Sequence, residues 1–569
     1  MDRWPFKPIL ICGYLACDYE AVCGRFVSLG ATPALLLFVT LFGFLAAGLF
    51  AAAEIHNHAI RVGLALLLSV SSLFQQSFQW VAHGPLTYDT FINLYNARGN
   101  IDDAFAQNGS VLRFVFPITL MLFMGIVLPP RRVFSARLAL LLPVAVFTFL
   151  AALVYQRGGE GTTGLPPAYP PIIYLAFNTY ETLVGKKGPR LDVVIPRSPT
   201  HVVKDVILIV DESVSANYLD IDNPLGVDTG PLRDPPPGIA LTNYGYASSI
   251  HNCSATSNLT LRFGGTRENY QKVIATGPSI WRYAKLAGLR TVYIDGQSNG
   301  GRLQNLMDAT ERAQIDEFIQ FDGVPVVHRD MAIAKVLAAH INNRRPEFIY
   351  VNKAGAHFPV DNKYPAELTH YRPALARVHE GMLSWTSDRT GFNGTPNEWV
   401  RYRNSYRNAL RWTVGDFFKR LFREANFNLA TAIYTSDHGQ DLHERGNPGR
   451  NTHCGAERAQ PEEGLVPLLI IEGTQSPSRD WQKDVAENRN GMSHFRIFPT
   501  LLEMMGYVNH SIKPIYGPPL DDPAKDDFSF NMLFNTRLGR QPEWQRIDLR
   551  TIAQPPTADF VVPVGKLVR

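Results

Sequence analysis

Ile207-Leu208-Ile209-Val210 runs without a break into Asp211-Glu212-Ser213, so an apolar segment ends in two carboxylates. Carboxylates at the end of a buried run are costly unless a cation or hydrogen-bond donors compensate them. Taken alone, the pair also fits a helix N-cap. The pattern returns at Ile433-Tyr434-Thr435-Ser436-Asp437-His438-Gly439, where an oxygen and an imidazole donor follow an apolar run. Glu212, Asp437 and His438, with Asp211 as a further candidate, offer the mixed oxygen and nitrogen donors that Zn²⁺ accepts, for one ion or two. A third element, Asn252-Cys253-Ser254-Ala255-Thr256-Ser257-Asn258, is small and polar and stands before Leu259-Thr260-Leu261. Such a boundary reads as a helix start, whose free N–H groups and dipole favour an anion such as a phosphoryl group. A Ser254 or Thr256 hydroxyl bound to that metal, which makes Ser254 a further ligand, loses its proton easily and becomes a usable nucleophile. An ordinary capping loop is the alternative reading.

Bringing these segments together requires a scaffold. Short runs of β-branched and apolar residues recur at 206–210, 291–294, 348–351, 431–434 and 465–471, separated by helix-length segments such as 331–342 and 402–425. The alternation predicts an α/β domain with a mostly parallel central sheet. Ligands collect at the carboxyl ends of strands in such sheets, where the polar segments above fall.

The chain has 569 residues, 46% apolar and 19% charged, which is enough for several domains. A net charge of +4 with no basic stripe among aromatics argues against nucleic acid as a partner. Before position 160 the character changes. Residues 33–53, 59–78, 111–128 and 136–155 are apolar over the length needed to cross a hydrocarbon core of about 30 Å, with Arg61 and Arg113 near ends where they can snorkel. Within residues 1–24 the apolar run from Pro8 to Cys17 is short and is followed by Asp18 and Glu20, so four or five membrane helices are expected. Arg131, Arg132 and Arg137 crowd one hinge, which the positive-inside rule places in the cytoplasm. Everything after about Gln156 is then expected in the periplasm. The layout is an α-helical membrane domain over 1–157, a Gly- and Pro-rich periplasmic linker over 158–200 that disfavours regular elements, and a catalytic domain over 201–569.

A carboxylate after a first strand, a hydroxyl at a helix start, a distant Asp-His-Gly and a further His resemble the alkaline phosphatase and sulfatase superfamily. More closely, the chain resembles the inner-membrane phosphoethanolamine transferases, including those that modify lipid A and confer polymyxin resistance. The likeness covers nearly the whole chain and implies a five-helix membrane domain before a periplasmic sulfatase-like domain. The family's Gly-Glu corresponds to Asp211-Glu212, its Cys-Gly-Thr to Cys253-Ser254 with one residue fewer, and its Ser-Asp-His-Gly stands intact as Ser436 to Gly439. Ala354-Gly355-Ala356-His357-Phe358-Pro359, ahead of Lys363-Tyr364-Pro365, resembles its Gly-Ser-His-Gly-Pro segment. His453, upstream of Val466-Pro467, resembles its second substrate-side histidine. The resemblance implies that His357 and His453 bind the phosphoryl group, a second metal or the leaving group's proton.

The departures are specific. Asp211 replaces a glycine, toward the adjacent aspartates of sulfatases. Ser254 is favoured over Thr256 as nucleophile, because Ser257, Leu261 and Gly264 then fall at the small, apolar and glycine positions of the superfamily's helix. The family's lysine near the donor phosphate has no clear match after Asp295-Gly296-Gln297, and Arg302 is a weak substitute.

The resemblance implies transfer of phosphoethanolamine from phosphatidylethanolamine to an envelope glycolipid or glycan such as lipid A or a core sugar, through a phosphorylated Ser or Thr. Asn93 and Asp102 are expected near the donor head group. Phosphoglycerol transfer or a phosphodiesterase or sulfatase-type hydrolysis is the alternative within enzymes, and a non-catalytic lipid or glycan sensor the alternative outside them. Cys12, Cys17 and Cys23 precede position 24, leaving Cys253 beside Ser254 and Cys454 beside His453. In an oxidising compartment the latter two are expected to pair, the alternative being two buried free thiols.

Overall fold

The computed structural model of the chain describes residues 6–82, 84–96, 109–130, 136–184, 189–198, 204–377, 395–444, 454, 459–475, 479–523, 526–533, 538 and 540–556. Two compact units separate, Met1–Lys186 with Asn535–Gln541, and Lys187–Phe534 with Pro542–Arg569.

In the second unit eight strands form one sheet: β1 (Asp205–Asp211), β2 (Ile239–Ser248), β3 (Arg290–Asp295), β4 (Glu317–Gln320), β5 (Glu347–Asn352), β6 (Ala430–Ser436), β7 (Leu465–Gly473) and β8 (Met492–Ser493). Their order is β4-β3-β5-β1-β6-β7-β2-β8. The β4, β3, β5, β1 and β6 strands run parallel, and only β7 opposes its neighbours. All five runs read as strands from the sequence are strands. The β2 strand was not among them, and its Asn243-Tyr244-Gly245 stretch sits at a register shift that breaks the apolar pattern.

Every residue of β1 is buried, because helices cover both faces of the sheet. Ile207 and Ile209 face one core with Ile333, Leu337, Phe418 and Leu421. Val206, Leu208 and Val210 face the other with Trp281, Phe498 and Leu501. Truncating one such aliphatic side chain to alanine costs about 2–5 kcal/mol.

The helix expected over 402–425 is interrupted. Pro396–Leu410 and Phe417–Glu424 are α-helical, but Arg411–Asp416 between them widens into a π-turn. That turn presents the Thr413 carbonyl to Lys353 Nζ. Such widened turns often serve functional sites.

In the first unit, three helices among the described residues are long and apolar enough to cross a membrane: Pro33–Ala53, His58–Val81 and Gly109–Val127. Ala136–Gln156 is a 21-residue helix whose first five side chains lie outside the description. The N-terminal segment is not one helix but two of 11 residues, Phe6–Ala16 and Tyr19–Leu29. At about 1.5 Å per residue neither spans a bilayer by itself. Arg61 does not snorkel outward. It is buried, and its guanidinium caps the Ile55 carbonyl at 2.7 Å and the Val127 carbonyl at 3.2 Å. Arg131 and Arg132, on which the topology reading rests, lie outside the described residues. The segment read as irregular over 158–200 contains a helix, Pro170–Val184. Its two prolines occupy the first two positions, where a missing N–H costs no hydrogen bond.

Candidate active site

The register of the parallel strands builds the site. Asp211 pairs with Ser436, Val210 with Asn352, and Asn352 with Asp295. The carboxyl ends of β1, β6, β5 and β3 therefore finish in one row, and the residues that follow them meet. Glu212, Asp437 and His438 are all buried, and one donor atom from each lies within 4.8 Å of the others. His438 Nε2 stands 3.6 Å from Glu212 Oε1 and 3.8 Å from Asp437 Oδ2.

Each donor is oriented by a second contact. His438 Nδ1 meets the Gly439 carbonyl at 2.6 Å, which assigns the proton to Nδ1 and leaves the Nε2 lone pair facing the cluster. Asp437 Oδ1 accepts from the Ser213 and His438 backbone amides at 3.0 and 2.7 Å, while its Oδ2 is buried without a hydrogen-bond donor. Glu212 accepts from Ser213 Oγ at 2.7 Å and from Gln297 Nε2 at 2.8 Å. Burial, followed by the negative charge of Asp437, pushes the Glu212 carboxyl well above the usual carboxylate range. Two facing carboxylates, an orphaned carboxylate oxygen and an aimed imidazole nitrogen fit a divalent cation.

The nucleophile segment arrives from the side. The Ser254–Phe263 helix starts with Ser254 as its first residue and Cys253 as its N-cap. Ser254 Oγ lies 3.2 Å from Glu212 Oε1 and 3.2 Å from His438 Nε2. Thr256 Oγ1 instead donates to the Cys253 carbonyl at 3.3 Å. The two hydroxyls left open by the sequence are thus separated: Ser254 joins the cluster and Thr256 serves its own backbone. The Asn258 side chain donates to the Ser254 carbonyl at 3.0 Å and accepts from Tyr350 at 2.6 Å, anchoring the first turn to β5.

Asp211, the further candidate, is engaged elsewhere. Its Oδ2 accepts from Lys353 Nζ at 2.5 Å and from Tyr434 at 3.1 Å, and its Oδ1 from the Glu212 amide at 3.1 Å. Both side chains of that ion pair are fully buried, and Asp211 is not among the three clustered donors Glu212, Asp437 and His438. The buried Asp211 carboxylate is answered by a lysine that directly follows the neighbouring strand β5. Lys353 was missed in the sequence, although a Lys two residues beyond the apolar run 348–351 signals a buried partner.

His357 follows β5 and is half-buried; desolvation, then the nearby Lys363 charge, lowers its pKa to about 4. Lys363 is buried and its pKa falls to about 7, chiefly through desolvation. Gly355, two residues before His357, has φ +54, and a Cβ there would meet the Glu212 carbonyl at 2.5 Å. Gln297, another residue the sequence reading did not single out, reaches Glu212 from the end of β3. Asn93 lies half-buried on the Tyr88–Asn96 helix of the first unit. His453 and Asp102 lie outside the described residues. Cys253 and Cys454 are disulfide-bonded with Cα atoms 4.6 Å apart, as the sequence led us to expect.

A family model described as sulfatase matches residues 204–507, more than half of the chain. No curated protein matches it by sequence. Among solved structures, the integral membrane protein lipooligosaccharide phosphoethanolamine transferase A (EptA) from Neisseria meningitidis superimposes with a TM-score of 0.56 at 14% identity, over 89% of this chain and 97% of that one. The periplasmic domain of EptC from Escherichia coli gives a TM-score of 0.48 at 16% identity, over 62% of this chain and 94% of that one. Its zinc complex gives 0.47 at 17%, over 65% and 99%. The likeness to EptA shows that the two chains share a fold, a helical N-terminal region followed by an α/β domain with a mostly parallel sheet.

Proposed function

The chain belongs to the sulfatase family, and from that premise we propose that it is a membrane-anchored, metal-dependent phosphoethanolamine transferase. The observation that carries this reading is the convergence of a helix-terminal hydroxyl, Ser254 Oγ, on two members of a buried Glu-Asp-His cluster, 3.2 Å from each. Glu212, Asp437 and His438 would hold the cation, Zn²⁺ by their donor types, with Ser254 facing it. When bound, the metal offsets charge on the phosphoryl oxygens and eases loss of the Ser254 proton.

The residues do the rest. Ser254 Oγ attacks the phosphorus of phosphatidylethanolamine, and diacylglycerol departs as its oxygen gains a proton. The phosphoethanolamine now carried on Ser254 then passes to a hydroxyl or phosphate oxygen of an envelope glycolipid or glycan, freeing Ser254. Free N–H groups in the first turn of the Ser254–Phe263 helix and its dipole stabilise the phosphoryl oxygens. His357, and His453 by the family likeness, contact the phosphoryl or leaving group. Asn93 and Asp102 belong to the part of the chain that takes the donor head group. In this reading residues 1–157 span the inner membrane, 158–200 link, and 201–569 work in the periplasm. A bilayer anchor supports the choice of a lipid donor, because it holds the enzyme on the surface where that donor lies.

The test is purified chain in nanodiscs containing labelled phosphatidylethanolamine or phosphatidylglycerol, with zinc content measured in parallel. Diacylglycerol released from phosphatidylethanolamine, with a phosphoethanolamine adduct on the Ser254 peptide, is the expected result. Release only from phosphatidylglycerol would convert the reading to phosphoglycerol transfer. Neither release nor bound zinc would leave a binding protein.

A further inference from the structure

The start of the nucleophile helix is held in an uncommon way. N-cap positions favour Ser, Thr, Asp or Asn, whose side-chain oxygen accepts a first-turn N–H. Here the N-cap is Cys253, it makes no side-chain capping hydrogen bond, and its sulfur is bonded to Cys454, 201 residues away in sequence. Covalent attachment stands where a capping oxygen would. The same strip is tied twice more. Cys454 N donates to the Asn252 carbonyl at 3.1 Å, and Asn252 Nδ2 donates to the buried Glu463 carboxylate at 2.8 Å. Glu463 in turn offers its backbone carbonyl to Gly439 N at 2.8 Å, directly after the metal-cluster residue His438. One network therefore joins the turn before Ser254 to the Asp437-His438-Gly439 loop, and the disulfide is its covalent member.

The partner residue is also constrained. Cys454 adopts φ +60, a left-handed conformation that non-glycine residues rarely take. Such a conformation persists only where its surroundings impose it. Among the described residues, the disulfide and the hydrogen bond from its amide to the Asn252 carbonyl hold it.

We propose that the Cys253–Cys454 disulfide is a positioning element for the nucleophile, fixing the N-cap of the Ser254–Phe263 helix so that Ser254 Oγ stays within reach of Glu212 and His438. The proposal rests on the assignment of Ser254 as nucleophile. Transfer is then fast only while the bond is closed, which ties the activity to an oxidising compartment. Opening it leaves the sheet intact, because β1 and β6 are held by their own ladder and by the two cores. A displacement of the attacking atom by 1 Å costs about 100-fold in rate, so loss of a covalent tie one residue away should cost at least about tenfold.

The experiment uses the full chain in nanodiscs with the exposed cysteines Cys12, Cys17 and Cys23 changed to serine, so that one redox couple remains. Tris(2-carboxyethyl)phosphine opens the bond: the phosphine becomes the phosphine oxide, water supplies the oxygen and two protons, and Cys253 and Cys454 become thiols. A single-turnover burst then separates the roles. Positioning predicts an adduct that forms on Ser254 at least about tenfold more slowly with undiminished amplitude, unchanged zinc content, and recovery on reoxidation with diamide. C253A/C454A, which restores no capping oxygen, should be equally slow and unresponsive to either reagent. A reduced amplitude at unchanged rate would mean partial unfolding and would overturn the proposal, as would an unchanged burst.

Hydrogen exchange supplies a readout that needs no activity. The first turn, 253–258, should exchange faster after reduction while β1 and β6 peptides do not, and equal protection of that turn would also refute positioning. Absence of any adduct in the oxidised protein, with the exchange result as expected, would instead remove the transferase reading and keep the mechanical one.

Discussion

Replacing Lys353 with methionine isolates the buried ion pair that engages Asp211. Methionine keeps the unbranched stem packed against the Phe417 ring, over which the ammonium lies at 4.1 Å, but removes the charge 2.5 Å from Asp211. Both side chains are fully buried, and breaking such a pair costs about 3–5 kcal/mol. The pH-dependent share of that cost follows from Asp211. Even beside Lys353, burial raises the Asp211 pKa from 3.8 to about 6. Without Lys353 the group escapes its cost by staying protonated. The native chain already bears the raised value, so against it, holding the proton adds about 1.4 kcal/mol at pH 7, one pKa unit, and almost nothing at pH 5. The sign follows: a folded-state pKa raised above the unfolded one stabilises the protonated form, so the variant loses stability as pH rises from about 4. Urea unfolding of the full chain in detergent at pH 5 and pH 7, with zinc content measured alongside, is the assay. Lys353→Met should show the larger deficit at pH 7 and retain zinc, and K353M/D211N should recover most of it. Loss of zinc in Asp211→Asn with no stability change in Lys353→Met would show that Asp211 is a ligand after all.

Ser254→Ala should abolish the phosphoethanolamine adduct while leaving the melting temperature and zinc content unchanged, whereas Thr256→Ala should keep activity; an adduct trapped on Thr256 would reverse the assignment. Gly355→Ala places a Cβ 2.5 Å from the Glu212 carbonyl on a backbone at φ +54, so a loss of about 1–3 kcal/mol by urea unfolding, together with weakened zinc retention, is expected. His340 meets Glu347 at 2.7 Å, and that hydrogen bond raises the His340 pKa above 6.5. Its contribution, about 1 kcal/mol, is therefore present below pH 6.5 and lost as pH rises through the raised value. His340→Gln should flatten that part of the stability profile, and an unchanged profile would show that the pair contributes nothing.

Much of this arrangement was legible because its parts are local. An apolar run ending in Asp-Glu or Asp-His-Gly identifies a strand and its functional end together, and β1 and β6 carry both signals. The Ser254 helix start was legible for the same reason. Gln297 and Lys353 were not, because their roles come from register: the row Asp295, Asn352, Val210 sets which residues follow side by side, and no single segment reports it. The Pro170–Val184 helix was hidden by prolines that break a helix interior but suit its first turn. The π-turn at Arg411–Asp416 lies in a stretch whose composition is that of a plain helix.

The separation between what holds the fold and what holds the site follows from where each contact lies. The β1 side chains from Val206 to Val210 divide between two cores, and none of them belongs to the cluster. The cluster residues hang beyond the strand ends and are oriented by short local bonds: backbone amides on Asp437 Oδ1, the Gly439 carbonyl on His438 Nδ1, and Ser213 and Gln297 on Glu212. These bonds leave Asp437 Oδ2 and His438 Nε2 turned toward Glu212, so a cation entering between them requires little rearrangement of the chain. The same arrangement sets two carboxylates together with no positive charge among the three donors, which opposes the fold until a cation arrives. Metal binding should therefore raise stability as well as enable transfer.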